Sequence, residues 1–186
     1  MNIRLLSLLT LLGIALSTNA SRAENTVEAV SEPARQLVAV NGLGTLELIA
    51  LLANPNELTR TRAHQELLHY LVVETDHPEH PDRLTRFHKS APHACRANHE
   101  AQTLHILGLF AAQRDISSIL LKQCLRSPHP RVRATALELA HFADNEINEV
   151  LLAFDPDPAT LPSYRIALRK LDTPEAARRL RKIGAG

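Results

Sequence analysis

Apolar residues recur along this chain at three- and four-residue intervals and rarely alternate, a pattern that predicts helices and no convincing strand. Residues 24–41 place Val27, Val30, Ala34, Leu37 and Val38 around Pro33, which predicts a short capping helix. Thr45 can cap a helix through about Ala53, and a turn at Asn54 to Glu57 opens a second helix through about Val73 with the stripe Ala63, Leu67, Tyr70 and Leu71. Two prolines and no apolar residue make residues 75–82 a loop. A short helix from Asp82 to Lys89 and a longer one from about Cys95 to Gln113 come next. Asp115 is the expected cap of a helix over 116–126, and Ser127 to Pro130 turn the chain into another over 131–142. Asp144 should cap residues 146–154, and the Pro-rich stretch 155–162 leads into a helix over 163–171. Thr173, Pro174 and Glu175 then open a final helix through about Ile183.

A spacing organises these elements. Residues 54–67, NPNELTRTRAHQEL, align without a gap onto residues 127–140, SPHPRVRATALELA, at an offset of 73. Prolines recur at Pro55, Pro92, Pro128 and Pro158, and each is followed eight or nine residues on by an alanine: Ala63, Ala101, Ala136 and Ala167. Alanine at a fixed point of every second helix is what close helix packing requires, so the pattern predicts a tandem helical repeat.

The segment SPHPRVRATALELAHFA, residues 127–143, resembles the second helix of a bacterial-type HEAT repeat, with a Pro-containing turn, Val132-Arg133, Ala136 and a closing apolar pair. Residues 54–71 are a fainter copy in which Thr59-Arg60 stands for Val132-Arg133, and the units anchored on Pro92 and Pro158 lack the arginine. The resemblance spans roughly residues 43–183. It implies an all-α α-solenoid of about four HEAT-like helix pairs that binds other macromolecules along its second helices. It further implies that Arg60 and Arg133 tie a helix to an acidic or carbonyl group of an adjacent turn. Arg62, Gln65, His69, Arg131, Thr135 and Glu138 fall off the apolar stripe and form the candidate partner-binding face.

The amino end sets the expected compartment. Arg4 precedes a twelve-residue apolar run, Leu5 to Leu16, and small residues offer cleavage after Ala20 or Ala23, so residues 1–23 read as a secretory signal peptide. Residues 24–42 then form a capping segment and 43–186 the repeat domain, in a protein exported to the periplasm or cell envelope, with no membrane insertion after cleavage. Cleavage takes Arg4 and Arg22 from the 21 basic residues and leaves the 20 acids, moving the net charge from +1 to −1. Near neutrality with interspersed signs argues against nucleic acid as partner and points to a protein. Only 3% of residues are aromatic, so the core must be built from Leu, Ala, Ile and Val.

Two further features bear on chemistry. Eight of the ten histidines lie between His64 and His105, and His77, His80, His88 and His93 form the ligand set of an alternative reading, a periplasmic metal-handling protein using residues 77–99. Cys95 and Cys124 are the only cysteines, and an even pair in an exported chain is expected to form a disulfide. That bond requires residues 92–97 to fold back ahead of the following helix, because on straight helices the two residues stand about 12 Å out of register. No Gly-rich phosphate loop, G-x-S-x-G, H-E-x-x-H or haem-attachment motif occurs, so a non-catalytic protein without cofactor is expected.

Overall fold

The computed structural model describes residues 40–97 and 99–184, which carry helices and no strand. The signal-peptide expectation and nearly all of the expected capping segment lie outside the described residues. Its last part, Val40 to Gly42, forms a turn in which the Leu43 amide reaches the Val40 carbonyl at 3.3 Å and Gly42 takes a φ of 79°, which a side chain would resist.

Nine helices follow among the described residues: α1 (Thr45–Leu51), α2 (Glu57–Leu68), α3 (His80–Cys95), α4 (Glu100–Gln113), α5 (Ser118–Cys124), α6 (Pro130–Leu139), α7 (Ile147–Ala153), α8 (Leu161–Leu171) and α9 (Pro174–Gly184). A π-type turn, His69–Val73, extends α2, and a 3-10 turn, Ala140–Phe142, extends α6. The odd-numbered helices pack one on the next from α1 to α9, and the even-numbered helices do the same from α2 to α8. Each odd helix from α1 to α7 also packs against the even helix that follows it, and the core lies between the two rows. Leu48, Leu52, Phe87, Leu120, Leu121 and Ile147 enter it from the odd side, and Leu67, Ile106, Leu107, Leu137 and Tyr164 from the even side. Each large side chain removed from water in this way contributes roughly 1.5–3 kcal/mol.

Local chemistry sets the ends. Asn56 caps α2 by accepting from the amides of Leu58 at 2.9 Å and Thr59 at 3.3 Å. Thr173 caps α9 by accepting from the Ala176 amide at 3.1 Å, with Pro174 at the first helical position as its sequence requires. Three expected caps move, one of them Asp144, which accepts from the Glu146 amide at 3.0 Å while Glu146 itself precedes α7 without a side-chain cap bond. Gly44 precedes α1, where its amide donates to Glu47 Oε2 at 2.7 Å while Thr45 is buried inside the helix. Ser117, not Asp115, caps α5 through its hydroxyl and the Leu120 amide.

The largest departure is at Pro92. It lies inside α3, which runs to Cys95, and the turn it was expected to mark falls at residues 96–99. A proline so close to a helix end forfeits only the one hydrogen bond its missing N–H would donate, and its carbonyl, left over as the helix ends, accepts from Gln123 Nε2 at 3.2 Å. The register expected from the prolines changes accordingly. Ala63, Ala136 and Ala167 each stand six residues after the first residue of α2, α6 and α8, and all three are buried. On α4 that place belongs to Ile106, whereas Ala101 is half-buried one residue into the helix.

Cys95 and Cys124 are a second correction, because the structure has both as free, buried thiols and not as a disulfide. Ending α3 at Cys95 does bring the pair together, and the two thiols share a hydrogen bond across α3 and α5. That bond and burial push the Cys124 thiol up and keep it protonated.

Candidate interaction surface

The two arginines singled out by the offset of 73 make the same bond. Arg60 Nη1 donates to the Asn54 carbonyl at 2.7 Å, and Arg133 Nη1 donates to the Ser127 carbonyl at 2.7 Å, six residues back in each case. Arg60 adds the Pro55 carbonyl at 2.9 Å. Arg133 adds the carboxylate of Asp157, in the turn before α8, and this bond holds the Asp157 carboxyl below the usual range. Both guanidiniums thus satisfy carbonyls of the turn that delivers their helix, a structural use of charge.

The six candidate face residues divide between α2, its π-type extension and α6. Arg62, Gln65 and His69 are exposed on the first segment, and Arg131 and Glu138 are exposed on α6 with Thr135 half-buried. Counted from the helix starts, Arg62 corresponds to Thr135 and Gln65 to Glu138. Between these helices lies α4, which offers Ala101, His105 and Gly108 at the matching places. Small residues at two of the three leave the middle of the row low.

Several contacts fix this side. Glu100 Oε1 lies 3.9 Å from Arg131 Nε, and its other oxygen 3.8 Å from His129 Nδ1, so one carboxylate at the start of α4 steadies the start of α6. His69 Nε2 meets Glu74 Oε1 at 3.2 Å, and Glu138 Oε1 accepts from the Ser163 hydroxyl at 2.8 Å. Exposed Leu58 and Ile166 extend the row at either end as apolar ground. Sequence reading missed Glu100 and both aliphatics, since an acid early in a helix and an isolated exposed aliphatic carry no motif.

His64 of α2 and His105 of α4 form a polar contact between helices, with ring centroids 5.1 Å apart. A Cβ at Gly108 would stand 3.4 Å from the His64 ring, so α4 approaches α2 closely there. Burial, reinforced by His105, lowers the His64 pKa to about 4, and burial, reinforced by Arg60, lowers that of His105.

The four histidines of the metal alternative have separate roles. His77 Nδ1 accepts from the Glu79 amide at 3.2 Å, while His80 Nδ1 lies 3.0 Å from the Tyr70 carbonyl and must donate to it. His88 Nε2 pairs with Gln113 Oε1 at 2.8 Å and packs against Phe87 and Phe110, and His93 is exposed on α3. Among the described residues no three His, Cys, Asp or Glu come together as a group able to hold a metal ion. No helix among them is long and apolar enough to cross a membrane.

Comparison of the chain with protein-family models, with curated proteins and with solved structures found no match.

Proposed function

We propose that this chain is an exported, non-catalytic interaction module, an α-solenoid of HEAT-like helix pairs that holds a protein partner along the outer side of α2, α4 and α6. The observation that carries the reading is the pair of 2.7 Å arginine-to-carbonyl bonds at Asn54 and Ser127. Two segments 73 residues apart that spend the same residue on the same bond behave as copies of one unit, and stacked copies build a continuous surface. Arg62, Gln65 and His69 at one end of that surface, and Arg131, Thr135 and Glu138 at the other, supply side chains free of the core. Export rests on the charged start, apolar run and small residues of positions 1–23.

A photo-crosslinking residue placed at Gln65 or at Thr135 in the producing cell tests the surface. Both positions are expected to capture the same protein, in the envelope fraction. Arg62→Glu and Arg131→Glu should each weaken that capture more than tenfold, about 1.4 kcal/mol, while Arg178→Glu on the terminal helix leaves it intact. Capture confined to the terminal helix, or different proteins at the two positions, overturns the assignment.

A further inference from the structure

The opposite side of the molecule carries a different kind of surface. On α3 the exposed residues Arg86, Lys89 and His93, with Arg96 just past its end, follow one another at steps of three, four and three, the spacing of a single helical stripe. The neighbouring α5 presents Ile119 and Lys122, and Arg126 follows at the next step just past its end. Because α3 packs against α5, the two stripes run side by side. Where they meet, Arg96, Ile119, Lys122, Gln123 and Arg126 line an open depression of about 440 Å³.

Its composition is unusual for a solvated face. Ile119 stands 68% exposed among three cations. Lys122 has one acid nearby, Glu146 at 3.5 Å, and neither Arg96 nor Arg126 has an ion-pair partner among the described residues. Gln123 is held by its bond to the Pro92 carbonyl, which fixes the floor between the two helices. An apolar centre flanked by two guanidiniums that have no ion-pair partner among the described residues is complementary to an apolar side chain flanked by carboxylates.

We propose that this depression is a second docking site, independent of the face formed by α2, α4 and α6, and that its occupant is an acidic segment of a partner protein carrying one apolar anchor. The anchor covers Ile119, and the flanking carboxylates pair with Arg96 and Arg126. A nucleic acid would use the cations and leave Ile119 exposed, and a flat anionic lipid surface would meet the cations without filling the depression, so the recess between the two helices favours a peptide side chain.

The test uses the full chain and a fluorescein-labelled peptide, Ser-Glu-Glu-Leu-Glu-Asp-Ser, followed by anisotropy. Saturable binding is expected, weakened more than tenfold by Arg96→Glu with Arg126→Glu, by Ile119→Ser, or by replacing the peptide leucine with serine, and unchanged by Arg62→Glu. Melting followed by circular dichroism checks that each variant is folded. Four results overturn the proposal: no saturable binding; binding indifferent to the two arginines; binding indifferent to Ile119 and the leucine, which would be plain charge adsorption; or tighter arginine-dependent binding of an oligothymidylate or of phosphatidylglycerol vesicles than of the peptide.

Discussion

Acidification should cost this protein stability through one imidazole. With a folded pKa of about 4 against an ordinary value of 6.5, His64 binds its proton less readily in the folded chain than in the unfolded one. The folded state therefore has its full advantage above pH ~6.5 and loses it progressively as the pH falls towards 4. Between pH ~7.5 and ~4.5 the linkage amounts to roughly 2–3 kcal/mol, a large part of the stability of an ordinary domain. His105, also lowered, adds to the same trend, and Arg60 and Glu57 are the charged neighbours acting on it. Urea unfolding at the two pH values, compared between the natural chain and His64→Leu, isolates the term from carboxylate titration common to both. The variant should lose roughly 2–3 kcal/mol less on acidification. Equal losses in the two proteins would mean that water reaches His64 and that α2 and α4 do not close on it.

Two other perturbations test the packing and the thiols. Ala136→Glu forces a carboxylate into the fully buried place where α6 meets its neighbours and should cost several kcal/mol, whereas Gln65→Ala on the outer face of α2 should change urea stability by less than about 0.5 kcal/mol; similar effects would discard the register. Ellman's reagent should find no reactive thiol in the native protein and both Cys95 and Cys124 once it is unfolded without reductant, and their absence in the unfolded chain would contradict the free pair.

The helices were legible wherever a cap or a proline coincided with the start of an apolar stripe, as at Asn56 before α2, Pro130 at the start of α6 and Thr173 before α9. Pro92 misled because a proline was read as a stop, and near the end of a helix it removes only one bond. That single shift displaced the start of α4 by about one turn and the expected alanine with it. The roles of Arg60 and Arg133 were visible because both ends of each bond lie within six residues. His64 and His105 escaped because their partnership crosses two helices, which no spacing along the chain reveals. The basic stripe of α3 was hidden by net charge, since a near-neutral total is compatible with cations gathered on one helix.

How α3 and α5 tolerate that gathering bears directly on whether reversing it reads binding or folding. Arg96 follows the last residue of α3, Lys122 lies in the last turn of α5, and Arg126 stands just beyond it. Helix carboxyl ends carry the partial negative charge of unpaired carbonyls, so cations are favoured there without any carboxylate to balance them. The sequence can thus keep Arg96 and Arg126 without ion pairs among the described residues, in contrast to Arg60 and Arg133, whose guanidiniums are consumed by turn carbonyls. Replacing either of the free pair by glutamate opposes the helix dipole and costs about 0.3–1 kcal/mol, too little to unfold an ordinary domain. Replacing Arg133 would instead strand the Ser127 carbonyl and release Asp157, a loss felt in stability first. Arginines of one chemical type therefore separate by experiment into those that hold the turns and those available to a partner, and a charge reversal at Arg96 that abolished folding would place it in the first group and remove the docking site.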